Sequence, residues 1–341
     1  MQPLQLALIG AGRMARTHAQ VLAGIGAVRI HKICDAVAEN AERLASALDA
    51  TPTTSLAEVL EDPDITAVLI TTPTASHAEL ITQAAAAGKH IFVEKPLAAD
   101  LAGATRALAA VEEAGVQCQV GFQRRYDPSY LEAKRKIEAG ELGRLEGFRA
   151  VGRDAFLPPI EFLKTSGGLM IDMGIHDLDS ARFLVGEVAE VYCVGAVQAD
   201  ERLRPLGLFD AAVATLRFEG GALGTLDVGL RTVYGYEVRA EVLGEKGRLH
   251  LEMDSAYQLR QYGEQGGFFE RPRNFQERFH QGYADEIRAF AENVAAGRPV
   301  TPDARDAMES LRLALAAQHS LESGSIVKVQ SFGKSTPSEE R

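Results

Sequence analysis

The first third of the chain alternates short apolar runs with helical patterns, and this alternation restricts the possible folds more than any other feature. The predicted strands cover residues 5–10, 28–35, 67–71, 90–93 and 117–120, and the predicted helices cover 13–23, 39–48, 56–60, 77–87 and 101–114. Parallel strands need long crossover connections, and strands covered by helices on both faces are apolar throughout. The pattern therefore predicts an α/β unit with a doubly wound parallel sheet.

The pattern changes after about residue 121, where longer strand-like runs follow one another. Predicted strands cover 145–153, 188–198, 211–218, 222–231, 238–244 and 248–252, and predicted helices cover 130–139, 168–185, 283–296 and 303–321. Gly220-Gly221 and Glu245-Lys246 each lie between two such strands and are expected to form hairpin turns. This part predicts an α+β domain with a large, mostly antiparallel open sheet.

The first predicted strand ends in a GxGxxA sequence, which runs from Gly10 to Ala15 and leads into a predicted helix. Gly10 permits a tight turn, Gly12 lets the backbone approach a pyrophosphate, and Ala15 lets the helix pack closely on the strand. The phosphates would meet the positive N-terminus of that helix. We therefore expect a Rossmann domain over residues 1–122, the α+β domain over 123–330, for which the family resemblance described below implies substrate binding and oligomerisation, and a flexible tail over 331–341.

Asp35 ends the second predicted strand, where a carboxylate can accept hydrogen bonds from the adenine ribose and repel a 2′-phosphate. The next residues, Ala36 and Val37, offer no basic group, so NAD is expected rather than NADP. The alternative is that the glycines only form a tight turn and that Asp35 caps the next helix.

Other candidate cofactor contacts lie where later strands end. Thr71, Thr72 and Pro73 follow the third predicted strand, and ligands of doubly wound sheets bind beyond such strand ends. A plain helix N-cap is the alternative there, with His77 in the first turn of that helix. The remaining residues assigned to the cofactor site are Arg13, Met14, Glu94, Lys95 and Gln123.

The candidate chemistry rests on a lysine and on a carboxylate–imidazole pair. Lys95 follows the fourth predicted strand and could hold a substrate hydroxyl and lower its pKa, or it could be a surface lysine. Asp172 and His176 are spaced i, i+4 in a largely apolar predicted helix, where Asp172 could orient His176 as a general base. A structural pair is the alternative. No metal is expected, because Asp177 lies on another part of the helix and no HExxH or cysteine cluster is present.

Bulk properties exclude several classes of protein. The net charge of −11 argues against nucleic acid as the main partner, which would need a basic patch. Cys34, Cys118 and Cys193 form no CxxC motif, so reduced thiols and a cytoplasmic location are expected. The sequence contains neither a signal-peptide pattern nor an apolar run of roughly 18 residues, so no membrane association is expected.

The motifs GAGRMA, EKPL and SGGLMIDMGIHDLD, in this order and spacing, resemble the glucose–fructose oxidoreductase and inositol dehydrogenase (Gfo/Idh/MocA) family. The resemblance extends from residue 4 to about 329. The segments 121–127 and 152–159 are similar to the inositol dehydrogenase branch of that family. The resemblance implies an NAD-dependent dehydrogenase that oxidises a ring hydroxyl of a cyclic polyol, with conversion of myo-inositol to 2-keto-inositol as the leading reaction.

The resemblance also implies roles for individual residues. Lys95, Asp172 and His176 would form the catalytic set and contact the substrate, with His176 as the acid/base. Asp154 and Tyr236 would bind substrate, and Tyr234 and Tyr283 would line the pocket. The open sheet would support a homodimer or homotetramer.

One departure from the family pattern concerns the substrate. A further proline is expected soon after Asp154, where this chain has Ala155-Phe156-Leu157. Two other functions therefore stay open: an NAD(P)-dependent oxidoreductase of sugars or anhydro-sugars, and a non-catalytic dinucleotide-binding sensor.

Overall fold

The computed structural model describes residues 3–22, 24–252, 261–264 and 266–333. Most of the predicted tail, from residue 334 onward, lies outside the described residues. The chain forms two compact units that alternate along the sequence. The first unit contains Met1–Pro128 and Phe279–Glu309, and the second contains Ser129–Arg278 and Ser310–Arg341.

The first unit is built on a six-stranded parallel sheet. Its strands are β1 (Leu4–Ile9), β2 (Val28–Cys34), β3 (Thr51–Thr53), β4 (Ala67–Ile70), β5 (His90–Glu94) and β6 (Cys118–Gly121). Its helices include α1 (Arg13–Leu22), α2 (Ala38–Leu48), α3 (Leu56–Leu60), α4 (His77–Ala86) and α5 (Leu101–Ala114). The strand order is β3-β2-β1-β4-β5-β6, so the direction of strand addition reverses between β1 and β4. This order confirms the predicted Rossmann sheet and puts the switch point beside the glycine sequence.

The strand β3 was not predicted. It has only three residues, pairs with β2 alone at the sheet edge, and contains Pro52. An exposed edge strand buries little apolar surface, so its sequence carries no apolar run.

The second unit is built on a seven-stranded mixed sheet. The remaining strands are β7 (Leu145–Arg153), β8 (Val188–Ala196), β9 (Ala211–Phe218), β10 (Leu223–Gly229), β11 (Glu237–Gly244), β12 (Gly247–Glu252), β13 (Gln261–Gly263), β14 (Gly266–Phe268) and β15 (Val327–Lys328). The strands of the seven-stranded sheet have the order β12-β11-β7-β10-β9-β8-β15, which does not include β13 and β14. Within this sheet only the β7–β10 pair is parallel. The two predicted hairpins are confirmed as β9–β10 and β11–β12.

The remaining helices are α6 (Pro128–Glu138), α7 (Ile160–Leu163), α8 (Ile175–Leu184), α9 (Phe275–Ala295) and α10 (Ala304–Ser323). The predicted helix over 168–185 is α8 preceded by a π-helical turn, Met170–Gly174. Among the described residues, no helix is long and apolar enough to cross a membrane.

The helix α9 joins the core of the first unit. Ile287, Phe290 and Ala291 belong to the same apolar cluster as Leu69 and Phe92 of the parallel sheet. The rings of Phe92 and Phe290 meet edge to face with centroids 5.7 Å apart. The predicted domain boundaries at residues 122 and 330 did not anticipate this return of the chain, and they remain a prediction.

Candidate functional site

The turn after β1 can be formed only by glycine at its first position. Gly10 has φ +91°, and a Cβ there would lie 2.9 Å from Thr72 Cγ2 and 3.0 Å from Thr72 N. The hydroxyl of Thr71 donates a hydrogen bond to the Gly10 carbonyl at 2.8 Å. The ends of β1 and β4 are therefore joined tightly at the switch point, which accounts for Gly10 and for Thr71 without any ligand.

Gly12 meets no such constraint. A Cβ built at Gly12 would have no heavy atom within 4 Å, and the residue lies directly before α1. Arg13 and Met14 form the first turn of α1, and Ala15 is fully buried behind them. The open space at Gly12 fits the approach of a pyrophosphate to the helix N-terminus.

Asp35 is held by two backbone N–H groups. Its Oδ2 accepts a hydrogen bond from Ala11 N at 2.7 Å, and its Oδ1 accepts one from Val37 N at 2.8 Å. The carboxylate thus ties the glycine turn to the end of β2, while each oxygen retains a second lone pair. These remaining acceptors fit ribose hydroxyls, so the residues around the turn fit a dinucleotide with an unmodified adenine ribose.

The segment after β4 is tied to the segment after β5 through His77. The Thr72 hydroxyl pairs with the Ser76 hydroxyl at 2.7 Å, after Pro73. His77 is buried, with Nδ1 2.8 Å from the Pro96 carbonyl and Nε2 3.0 Å from the Thr72 carbonyl. Burial lowers the pKa of His77, so the neutral ring donates to one of these two carbonyls at a time. Both ring nitrogens thus face the backbone, and direct contact of His77 with the cofactor stays a prediction.

Lys95 lies between two anchored neighbours. Before it, Glu94 Oε1 is 2.6 Å from His18 Nε2, and after it the Pro96 carbonyl contacts His77. The Lys95–Pro96 peptide is cis, and the Lys95 side chain is half-buried. The position of Lys95 at the carboxyl end of β5 agrees with the prediction.

The site segment of the second unit begins with two glycines in the left-handed region. Gly167 has φ +87° and Gly168 has φ +108°. A Cβ at Gly168 would lie 2.5 Å from Gln318 Cδ, while Gln318 Oε1 accepts a hydrogen bond from Met170 N at 3.1 Å. Gln318 therefore caps the start of the π-helical turn, and the paired glycines make room for it.

Asp172 lies in the π-helical turn and His176 in the first turn of α8. Both side chains are half-buried, and Asp172 lines a small cavity together with Ser166 and Phe209. A π-helical turn is wider than an α-helical turn. The angle between the Asp172 and His176 side chains therefore differs from the one that i, i+4 spacing gives in an α-helix. Single-turn π-helices are frequent at functional sites.

The two other aspartates of α8 are buried and structural. The Ser310 hydroxyl donates to Asp179 Oδ1 at 2.7 Å and accepts from Arg182 at 2.6 Å. Arg182 also forms a two-point ion pair with Glu187 at 2.7 and 2.9 Å. The Asp177 carboxylate packs against Gly152 of β7, where a Cβ would clash with it. These contacts fix α8, which carries His176.

The remaining predicted site residues lie in both units. Asp154 follows β7, and its N–H donates to the Gly229 carbonyl at 2.9 Å. Tyr236 is buried before β11, and the hydroxyl of the half-exposed Tyr234 donates to Glu237 at 2.6 Å. In the first unit, Gln123 is buried at the start of a 3₁₀ turn after β6, and Tyr283 is buried in α9 against His18.

Two buried titratable residues, His18 and Glu286, were not predicted from the sequence. Both are fully buried in the first unit, and an atom of each lies within 4.8 Å of a Glu94 oxygen. A usable signal was present, because Glu286 follows Tyr283 by three residues and precedes Phe290 by four, on the apolar face of α9.

The fold and the glycine turn together define a dinucleotide-binding protein. Residues 4–122 match the model of an oxidoreductase family with an NAD-binding Rossmann fold, and residues 130–250 match the Gfo/Idh/MocA C-terminal domain. The chain belongs to the Gfo/Idh/MocA family of oxidoreductases, as the sequence motifs predicted.

Several relatives named as inositol dehydrogenases are similar over 96% of the chain. The NAD⁺-dependent scyllo-inositol 2-dehydrogenase of Bacillus subtilis is 37% identical, over 96% of both chains. The myo-inositol 2-dehydrogenase of Thermotoga maritima is 36% identical, over 96% of this chain and 99% of its own. The scyllo-inositol dehydrogenase of Lactobacillus casei, solved with NAD(H) and scyllo-inositol, superposes with a TM-score of 0.91 at 28% identity, over 96% of this chain and 100% of its own.

Proposed function

We propose that this protein is an NAD-dependent inositol 2-dehydrogenase, which oxidises a ring hydroxyl of inositol, with myo-inositol converted to 2-keto-inositol. The observation that carries the proposal is full-length similarity to enzymes of that activity at 34–37% identity. Lys95, Asp172 and His176, the residues of the proposed catalytic set, are all present in the motifs that the chain shares with the family.

Each residue of the set has a proposed task. NAD, when bound, supplies the acceptor for the hydride that leaves the carbinol carbon. His176 accepts the hydroxyl proton, and Asp172 orients its imidazole. The Lys95 ammonium holds the hydroxyl oxygen and stabilises the negative charge that develops on it. Asp154 and Tyr236 would bind other ring hydroxyls.

The test of the reaction is NADH formation in a panel of inositol stereoisomers and aldoses. We expect kcat/KM for myo- or scyllo-inositol to exceed that for any aldose. A preference for aldoses would replace the proposal with a sugar oxidoreductase. No turnover of any polyol or sugar, with NAD still bound, would leave a dinucleotide-binding sensor.

The catalytic set is tested by His176→Ala and Lys95→Met. Each substitution should lower kcat by roughly 100- to 10,000-fold, the usual contribution of a positioned proton-transfer group, while NAD still binds. The exposed His280 and Lys164 supply the matched controls His280→Ala and Lys164→Met, which should leave kcat unchanged. Turnover near that of the unmodified protein in either test variant would refute its role.

We further propose that the protein forms a homodimer or homotetramer through the seven-stranded sheet. One face of that sheet is open, and Tyr192, Val194, Val213 and Leu223 expose between 36% and 62% of their surface. Exposed apolar groups on a flat sheet favour burial against a second copy.

The cysteines Cys34, Cys118 and Cys193 are buried and unpaired, which supports the proposed cytoplasmic location.

A further inference from the structure

A buried polar cluster, which we define as His18, Glu94, Gln119 and Glu286, lies inside the first unit. It joins α1, β5, β6 and α9. Three of the side chains are fully buried and Glu94 is 6% exposed. The rings of Phe92 and Tyr283 meet the His18 ring edge to face, with centroids 5.7 and 5.5 Å away.

The cluster has more polar atoms than hydrogen bonds to satisfy them. His18 Nε2 lies 2.6 Å from Glu94 Oε1. One oxygen of Glu286 lies within 4.8 Å of both a His18 nitrogen and a Glu94 oxygen. Among the described residues, His18 Nδ1, Gln119 Oε1 and both Glu286 oxygens have no hydrogen-bond partner. Acceptors therefore outnumber donors in this enclosed space.

Two ionised carboxylates side by side in an apolar interior repel each other and are costly, so one carboxyl group of the cluster is expected to keep its proton. Burial, and then the neighbouring Glu94, raise the pKa of Glu286 well above its ordinary value. As a neutral acid, Glu286 also supplies the missing donor.

The cluster bears directly on the residue that follows Glu94. The pair with His18 holds the side chain before Lys95, and His77 holds the carbonyl after it. The backbone of Lys95 is thus fixed from both sides. Displacement of Glu94 would move the end of β5 and, with it, the Lys95 ammonium.

We propose that His18 and Glu286 are positioning residues for Lys95, and that a proton held by Glu286 keeps Glu94 paired with His18. When Glu286 ionises, its carboxylate repels the carboxylate of Glu94, and this repulsion displaces the end of β5. The task of Lys95 in catalysis rests on the proposed function, whereas the protonation of the cluster and its hold on Lys95 do not.

The other titratable group that senses Glu286 is Tyr126. Burial, and then Glu286, raise the pKa of the Tyr126 phenol, so it stays neutral across the range of interest. Gln119 is uncharged, and its amide donates to the Glu286 backbone carbonyl at 3.2 Å. A change in the cluster as the pH rises above 4.5 is therefore assigned to Glu286.

A divalent cation is the competing occupant, because one imidazole and two carboxylates are common metal ligands. The 2.6 Å contact between His18 and Glu94 is a direct hydrogen bond, and no ion fits between two atoms at that distance. This geometry favours a proton, and metal content is an outcome of the test.

The first test compares Glu286→Gln, which mimics the neutral acid, with Glu286→Leu, which removes all polar function. The exposed Glu292 of the same helix supplies the control Glu292→Gln. A carboxyl group with a raised pKa in the folded state stabilises the protein fully below its unfolded pKa, near 4.5, and progressively less as the pH rises toward the folded pKa. Unfolding by urea should therefore show the unmodified protein losing stability relative to Glu286→Gln as the pH increases above 4.5.

The kinetic test separates positioning from simple loss of structure. Glu286→Gln should keep kcat within about twofold of the unmodified protein, as a harmless substitution does. Glu286→Leu should lower kcat roughly 10- to 100-fold, as expected for a displaced catalytic group. We expect kcat of the unmodified protein to fall at high pH as Glu286 ionises, and this fall should move to higher pH in Glu286→Gln.

The last test does not depend on turnover. Reductive methylation with ¹³C labels the lysines, and the Lys95 resonance is the one absent in Lys95→Met. That resonance should move in Glu286→Leu and keep its position in Glu286→Gln. His18→Asn, which cannot reproduce the pair with Glu94, should also move it, and provides the test if Glu286→Leu does not fold.

The outcomes are distinct. The inference would be overturned by an equal fall of kcat in Glu286→Gln and Glu286→Leu, or by a Lys95 resonance that does not move in Glu286→Leu. It would also be overturned if the stabilities of the unmodified protein and of Glu286→Gln run parallel across pH. One equivalent of a divalent metal, bound to the unmodified protein and lost in Glu286→Gln, would overturn it as well. A normal response of stability and of the resonance, without oxidation of any polyol, would refute the proposed function and leave the cluster as described.

Discussion

Gly10 and Gly12 belong to one turn but face different physical constraints. At Gly10, the positive φ and the close approach of Thr72 exclude any side chain. At Gly12, nothing in the described protein occupies the space of a Cβ. The first glycine is therefore required by the fold, and the second is expected to serve binding, in agreement with the different tasks that the motif predicts for them.

This difference predicts opposite effects of two alanine substitutions. Gly10→Ala should lower the free energy of unfolding by about 1–3 kcal/mol, because it combines a strained φ with a steric contact. Gly12→Ala should keep stability within about 0.5 kcal/mol, as expected away from packed groups. It should nevertheless weaken NAD binding at least roughly tenfold, because the methyl group occupies the space that a pyrophosphate needs. Denaturant unfolding and calorimetric titration with NAD give the two quantities, and equal loss of stability in both variants would contradict this assignment.

We expect Asp35 to combine cofactor recognition with its observed support of the turn. Asp35→Ala should raise the ratio of kcat/KM for NADP to that for NAD roughly tenfold, because the charge that repels a 2′-phosphate is gone. It should also cost about 1–3 kcal/mol of stability, since Ala11 N and Val37 N lose their acceptor. Asp35→Asn retains one acceptor oxygen and should relax the cofactor preference at a smaller loss of stability. An unchanged cofactor ratio in both variants would leave Asp35 with the structural task alone.

At the scale of elements, a chain of hydrogen bonds holds α8 in place. Asp179, Ser310 and Arg182 connect α8 to α10, and Arg182 continues to Glu187. Because His176 lies one turn before Asp179, the orientation of this helix sets where the imidazole lies.

Removal of the buried Asp179 carboxylate should therefore lower the free energy of unfolding of the second unit. Asp179→Ala should cost about 1–3 kcal/mol, because the buried Ser310 hydroxyl, which also accepts from Arg182, loses its carboxylate acceptor. Asp179→Asn keeps an oxygen for Ser310 and should cost less. Urea unfolding measures both, with Glu270→Ala, at an exposed position of the same unit, as the surface control. Equal, negligible losses for Asp179→Ala and Glu270→Ala would show that the network contributes nothing.

Elements with a strong local pattern were predictable, and those defined by tertiary contacts were not. The buried strands were predictable because each is an apolar run, whereas β3 has three exposed or half-buried residues and no apolar pattern. The π-helical turn at Asp172 was missed because its apolar residues also satisfy an α-helical period. His18 and Glu286 were missed because they lie far apart in the sequence and form no motif with Glu94, and only the fold brings the three together. The tasks of Lys95, Asp172 and His176 came from family motifs, and kinetics must test them.

At the scale of the whole molecule, the open sheet face predicts association. Val194 and Val213 are paired neighbours on β8 and β9, and 56% and 52% of their surfaces are exposed. Val194→Glu combined with Val213→Glu should reduce the oligomer to smaller species, because burying unpaired carboxylates in an interface is costly. Val233→Glu, at a loop position that is 90% exposed, is the control and should leave the assembly intact. Light scattering after size-exclusion chromatography measures the mass, and an unchanged oligomer in the double variant would exclude this face.

The return of α9 to the first unit has a consequence for biosynthesis. The apolar cluster around β1 and β4 needs Ile287 and Phe290, which a ribosome adds only after the whole of Ser129–Arg278. The nascent parallel sheet must wait, with part of its core uncovered, while the intervening segment is made. A fragment ending at Pro128 would expose that apolar surface permanently and should aggregate. Supplying 279–309 as a separate peptide, or joining it to Pro128 through a short linker, is the rational route to a stand-alone NAD-binding module.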